Sequence, residues 1–224
     1  MTDIYSQKPW LQFYDSHVPQ SLEYPEKSYA EVFQEAVELV PDKVAVYYMG
    51  SGITFRELDL LSNRFAHFLK KNGLQKGDVV GVNLPNIPAY YIAIIGIQKT
   101  GCVLTGVSPL LQASELEYQL NDSGAKALVT LDILFDKARE AIPKTDVKAI
   151  AVAGIADFLP PVKRVLGKLL KKIPTGAVNP IPGITVALVS HILSEMPAHR
   201  VAEEISPEDP MLMQYTGGTT GPPK

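Results

Sequence analysis

The chain has 224 residues, 21 Lys and Arg against 24 Asp and Glu for a formal charge of −3, and 46% apolar residues. That is the composition of a folded globular protein, and a chain of this length can bury roughly 70% of its unfolded surface in a core. The slight acidic excess lacks the positive charge that neutralising a phosphate backbone demands, which excludes bulk DNA or RNA binding from the expected functions.

The N-terminus carries no basic region followed by an apolar block, so no secretory signal is expected. Residues 1–27 mix aromatics with Pro9, Pro19 and Pro25 without a sustained period, and read as an irregular arm ahead of an α/β body over 28–224. Ser28 and Glu31 have capping-box spacing at the head of a helix carried by Phe33, Val37 and Val40 and stopped by Pro41. A strand over Lys43 to Tyr48 follows, then a turn at Gly50-Ser51-Gly52. A second capping box, Thr54 with Glu57, opens a helix through Leu58, Leu61, Phe65 and Phe68 that Asn72-Gly73 closes.

The alternation then repeats: strand Asp78 to Leu84, helix Pro88 to Lys99, strand Cys102 to Val107, helix Ser114 to Asn121, strand Lys126 to Leu131, helix Ile133 to Ile142, strand Val147 to Ala153. Strands alternating with helices of about ten residues predict βαβ crossovers, hence an α/β fold of parallel sheets with helices on both faces. Cys102 stands alone, which excludes an intramolecular disulfide and points to a reducing compartment; it reads as a core residue. The histidines, His17, His67, His191 and His199, lack metal-ligand spacing and read as surface or structural. The richest apolar run, Ala89 to Ile97, falls well short of the ~18 residues of a spanning helix, so a cytoplasmic protein is expected.

Phe158 to Ile173 reads FLPPVKRVLGKLLKKI. Val162, Val165, Leu166, Leu169, Leu170 and Ile173 share one helical stripe, with Lys163, Arg164, Lys168, Lys171 and Lys172 off it. Such a basic amphipathic helix either makes a peripheral membrane contact through Val162 to Ile173 or packs its stripe on the sheet, and packing is the expectation here. Pro174 to Gly183 reads as a long loop. A final strand pair, Ile184 to Ser190 and Met211 to Tyr215, brackets a short helix and the acidic turn Ser206 to Asp209.

The last ten residues, Tyr215 to Lys224, read YTGGTTGPPK. Glycines allow several backbone N–H groups to point into one concavity, while threonine hydroxyls and a lysine add donors and charge, the requirements of a polyphosphate cradle. The spacing is not that of a conventional P-loop, because five residues on from Gly217 or Gly218 stands Pro222 or Pro223 rather than glycine.

At these residues the chain resembles the adenylate-forming enzymes, the superfamily of acyl-CoA synthetases, luciferases and peptide-synthetase adenylation domains. Their phosphate loop reads [Y/F]-T-S-G-[S/T]-T-G-x-P-K, and nine of its ten positions fit. Gly217 stands where most members have serine, a form common among long-chain fatty acyl-CoA synthetases. Weaker blocks follow in the same order: ITFREL at Ile53 to Leu58, KGDVVGVNLPN at Lys76 to Asn86, KTGCVLTGVSPL at Lys99 to Leu110, SELEYQLNDSGAKALVT at Ser114 to Thr130, and FLPPVKR at Phe158 to Arg164.

The resemblance implies the N-terminal half of the large domain of an adenylate-forming enzyme that joins a fatty acid to coenzyme A, using ATP and Mg²⁺ through an acyl-adenylate. It assigns backbone N–H groups of Gly217, Gly218 and Gly221 to the phosphates, Thr219, Thr220 and Lys224 to the β- and γ-phosphates, Lys224 a catalytic part, and Thr216 a Mg²⁺ contact. The adenine, ribose and hinge motifs and the C-terminal domain of that family are expected beyond Lys224, so these residues alone are expected to be inactive. An aryl- or short-chain acid–CoA ligase, and a noncatalytic half-domain binding lipid or a partner, are the alternatives.

Overall fold

The structure is a computed structural model that describes residues 4–170 and 173–216. The N-terminal arm holds a short helix, α1 (Ile4–Gln7), and a 3₁₀ turn over Pro9–Phe13, none of it buried. Helix α2 (Tyr29–Leu39) begins at a reciprocal cap: Glu31 N–H donates to Ser28 Oγ at 3.3 Å, and Ser28 N–H donates to the Glu31 carboxylate at 2.7 Å. Strands β1 (Val44–Tyr48) and β2 (Ser51–Thr54) form an antiparallel hairpin. Its turn is Met49-Gly50, not the expected Gly50-Ser51-Gly52: φ is positive at both residues, 48° and 95°, the two-residue geometry that matches strand twist, and Ser51 and Gly52 pair with Tyr48 and Tyr47. Thr54 and Glu57 cap α3 (Phe55–Lys71) in the same reciprocal way.

There follow β3 (Val79–Asn83), α4 (Pro88–Lys99), β4 (Val103–Gly106), α5 (Ala113–Asp122), β5 (Ala125–Leu131), α6 (Phe135–Ala141), β6 (Ala149–Ala153), α7 (Pro161–Leu169), β7 (Thr185–Leu188), α8 (Val189–Glu195) and β8 (Leu212–Met213). The six strands from β3 to β8 make one parallel sheet in the order β7-β6-β5-β3-β4-β8. Val80, Val82, Val129 and Ala151 face a core shared with α2, α3, α4 and α8, while Leu128, Ile150 and Val152 face α5 and α6. Burial on both faces is why these strands read as continuous apolar runs.

Helices α3 and α4 touch closely enough that a Cβ on Gly96 would lie 2.8 Å from Phe65 Cδ1 and 2.9 Å from the Ser62 carbonyl oxygen. Beside that contact the ammonium of Lys99, 3% exposed, is held by Asp59, Ser62 and Asn63 of α3. Cys102 is buried in the same core.

The last two strands of the sheet lie on its opposite edges, each paired to a different neighbour, β7 to β6 and β8 to β4. The chain between them returns across α3. Asn63 Nδ2 donates to the Ala198 carbonyl at 2.9 Å, Arg64 to the Ser194 and Met196 carbonyls at 3.0 Å each, and a His67 ring nitrogen lies 2.9 Å from the His199 carbonyl. Lys70 pairs with Glu203 at 2.6 Å, and Lys76 with Asp209 at 2.6 Å. Asn63, Arg64, His67 and Lys70 recur at helical spacing, so one polar face of α3 carries most of the strap, and Lys76, just past the helix, holds its end.

Helix α7 departs from expectation twice. It ends at Leu169 rather than reaching Ile173, which folds over Gly167; Pro174 disfavours helical geometry at Ile173 itself. Its stripe does not pack on the sheet: Val162, Val165, Leu166, Leu169 and Leu170 are 49% to 75% exposed and belong to neither core. Leu169→Ala is therefore expected to change stability by no more than about 0.5 kcal/mol, against about 2–5 kcal/mol for Leu128→Ala in the closed core, as read from urea denaturation midpoints.

Candidate functional site

In a parallel sheet all strand ends of one kind lie along one edge of the fold. From β3 the chain leaves towards β4, and from the adjacent β5 it leaves in the opposite direction towards β6, so their carboxyl ends diverge and open a crevice. Asn83, buried at the end of β3, stitches this place together. Its Nδ2 donates to the Ser108 carbonyl at 2.9 Å and lies 3.3 Å from the Val107 carbonyl, and Thr130 Oγ1 of β5 donates to its Oδ1 at 2.9 Å. Gln119 of α5 donates to the Gly106 carbonyl at 2.8 Å. These bonds hold the ends of three strands at fixed separation.

Against the ends of β3, β4 and β8 lies a cleft of about 350 Å³ lined by Asn86, Tyr90, Ser108, Gln119, Gln214 and Tyr215. Strand β8 delivers the chain to it. Gln98 Nε2 donates to the Met211 carbonyl at 3.0 Å, and Leu104 N–H donates to the same oxygen at 3.0 Å, which fixes where β8 starts. Two residues past β8, the Tyr215 hydroxyl donates to Asp122 Oδ2 at 2.5 Å, tying the first residue of the YTGGTTGPPK segment to the end of α5. Thr216 follows and is exposed. Of the residues singled out in the sequence, Thr216 is therefore described, whereas Gly217, Gly218, Thr219, Thr220, Gly221 and Lys224 lie outside the described residues.

Burial, and then the facing Asp122 carboxylate, push the Tyr215 phenol above the ordinary tyrosine value. A group whose folded pKa is raised contributes its stability fully below the unfolded value, about 10, and loses it as pH rises through the folded value. Asp122→Asn should accordingly lower the pH at which Tyr215 ionises, read from phenolate absorbance as the difference between the protein and its Tyr215→Phe variant.

Asn83, Gln98, Gln119 and Asp122 have no counterpart in the candidate residues drawn from sequence. Only the position of Asn83, Gln119 and Asp122 within the ordered blocks could have flagged them, and Gln98 lies just outside. Among the described residues no group of three or more His, Cys, Asp and Glu could hold a metal ion. Mg²⁺ at a polyphosphate takes most of its ligands from phosphate and water, so the single exposed hydroxyl of Thr216 is a donor that fits it.

The chain matches the AMP-binding enzyme family over residues 33–224. It belongs to that family. As an AMP-binding enzyme it is 36% identical over 220 residues to a long-chain-fatty-acid–CoA ligase of Bacillus subtilis, an alignment covering 98% of this chain and 39% of that relative. The crystal structure of a long-chain-fatty-acid-CoA ligase from Archaeoglobus fulgidus superposes with a TM-score of 0.70 at 25% identity, covering 94% of this chain and 38% of that one. An anthranilate CoA ligase bound to anthranoyl-AMP superposes with a TM-score of 0.72 at 20% identity, a likeness of fold alone, over 90% of this chain and 34% of that one. The α/β fold with its six-stranded parallel sheet is thus that of the large N-terminal domain of adenylate-forming CoA ligases. The chain spans about 39% of the length of the curated relative it matches. No helix among the described residues is long and apolar enough to cross a membrane.

Proposed function

We propose that this chain supplies the phosphate loop and strand-end crevice of an AMP-forming ligase that joins long-chain fatty acids to coenzyme A. The observation that carries this reading is the delivery of Gln214 and Tyr215 by β8 to the cleft against the ends of β3 and β4, which supports a Gly/Thr/Lys segment that starts from a ligand-binding position of this sheet class. The name of the Bacillus subtilis relative, at 36% identity, supports the fatty acid over other acids.

In the first step a carboxylate oxygen attacks the α-phosphorus of ATP, the bond to the bridging oxygen breaks, and pyrophosphate leaves with the electron pair. In the second, the thiol sulfur of coenzyme A attacks the acyl carbon, AMP leaves, and the thiol proton is lost. Charge develops on the leaving pyrophosphate, and this is where preorganised donors act. Backbone N–H groups of Gly217, Gly218 and Gly221, the hydroxyls of Thr219 and Thr220, and the Lys224 ammonium hold the β- and γ-phosphates in this reading. Mg²⁺, with Thr216 as a contact, supplies further charge neutralisation when bound.

ATP–pyrophosphate exchange tests it. With the full-length protein, palmitate should support exchange at least about tenfold better than benzoate or acetate, since each added methylene in an apolar pocket contributes to discrimination. Preference for benzoate or acetate would replace the fatty acid by an aryl or short-chain acid, and no exchange with any acid would overturn the ligase reading. Residues 1–224 alone should give no exchange, because the relative carries further sequence over most of its length.

A further inference from the structure

Helix α7 presents an exposed apolar face and is tethered at both sides. At its N-terminal side Phe158 packs on the core, Lys163 Nζ donates to the Met49 carbonyl of the β1–β2 turn at 2.8 Å, and at its far side Ile173 folds over Gly167. The hairpin is itself tied to the segment before α7 by the Tyr48 hydroxyl, which donates to the Ile155 carbonyl at 3.3 Å. The face so presented is aliphatic: Val162, Val165, Leu166, Leu169 and Leu170, all exposed, with Met49 at the hairpin tip 61% exposed beside the Lys163 anchor. A mobile tail could hide such residues by collapse; a braced helix cannot.

Charge identifies the occupant. The chain as a whole is acidic, at −3, yet from Phe158 to Ile173 every charged side chain is basic, with Lys163 and Arg164 both exposed. An aliphatic stripe flanked only by cations matches a surface that is apolar inside and anionic at its boundary. Protein interfaces, in contrast, concentrate binding energy in aromatic anchors seated in pockets, and the exposed stripe of α7 has no aromatic residue. A bilayer needs no shape complementarity.

We propose that the outward face of α7 docks the protein on anionic lipid bilayers, with the aliphatic stripe entering the headgroup boundary and the basic residues pairing with lipid phosphates. The inference stands on the exposed helix and its charge, and is independent of the acid that the site ligates.

Vesicle binding by the full chain decides it. Val165→Cys provides a position for an environment-sensitive dye, and the native Cys102, 1% exposed, will not react with it. The dye should shift to the blue with vesicles of phosphatidylcholine and phosphatidylglycerol at low salt, and not with phosphatidylcholine alone or at high salt. In co-sedimentation, Arg164→Glu with Lys168→Glu should lower partitioning onto the anionic vesicles by at least about 30-fold, with an unchanged melting temperature. Equal sedimentation of variant and wild type overturns the proposal. So does a dye at position 165 that is already shielded without vesicles and unmoved by them, which would show the stripe covered by a second copy or by further polypeptide.

Discussion

Lys99→Met is expected to lower the stability of the chain by about 3–5 kcal/mol, the cost of removing one partner from a buried ion pair. The ammonium sits 2.6 Å from Asp59 Oδ1, 3.1 Å from the Asp59 carbonyl, 2.8 Å from Ser62 Oγ and 2.6 Å from Asn63 Oδ1, and 5.4 Å from the centre of the Phe33 ring. Burial draws its pKa below the usual lysine value, while Asp59 pulls it back up. With four oxygen acceptors around it, the group is charged at neutral pH. Methionine fills the same space and strands those acceptors without donors, which is where the cost arises. The effect should appear as a lower urea midpoint at constant slope. Adding Asp59→Leu should recover part of the loss, giving a coupling energy of about 1–3 kcal/mol in a double-mutant cycle. A loss below about 1 kcal/mol for Lys99→Met would mean that Asp59 simply turns to water.

A second large effect is expected in the chemistry. In the full-length enzyme Lys224→Ala should slow adenylate formation by about 10²–10³-fold, the range seen when a donor to developing negative charge is removed, with a smaller loss for Thr219→Ala. Pyrophosphate is present only in the first half-reaction. Thiolysis of preformed acyl-adenylate by coenzyme A should therefore be much less affected, and single-turnover measurements of the two halves separate them. Equal losses in both halves would contradict the assigned role and point to a site that has collapsed.

Much of the fold is legible in the sequence because local chemistry and tertiary position agree. Ser28 with Glu31 and Thr54 with Glu57 predict helix starts that the structure reproduces as reciprocal hydrogen bonds. Strands buried on both faces announce themselves as apolar runs. The hairpin turn is different: glycines at positions 50 and 52 bracket two register choices, and only pairing with Tyr47 and Tyr48 selects Met49-Gly50. The edge positions of β7 and β8 depend on a strap whose anchors lie more than a hundred residues away on α3, such as Asn63 to Ala198. Periodicity finds the stripe of α7 but says nothing about what the stripe meets, and the packing expected for it is absent. At the site, the Gly/Thr/Lys segment is visible from composition, whereas Asn83 and Asp122 are ordinary polar residues until the sheet brings the strand ends and α5 together. The Lys99 cluster had a usable signal, since Asp59, Ser62 and Asn63 share one face of α3 by their spacing.

The strap across α3 also predicts an order of assembly. Pairing Leu104 with Leu212 closes a loop of more than a hundred residues, whereas β3 pairs with β4 and β5 with β6 over short crossovers. Such non-local contacts form slowly, and a chain emerging from the ribosome presents its N-terminal elements first. The strands from β3 to β7 are expected to associate before the strap is laid along Asn63, Arg64, His67, Lys70 and Lys76, with β8 pairing last. Placement of Tyr215 beside Asp122 is thereby expected to be a late event, and an incompletely folded chain does not yet close the crevice at the ends of β3 and β4.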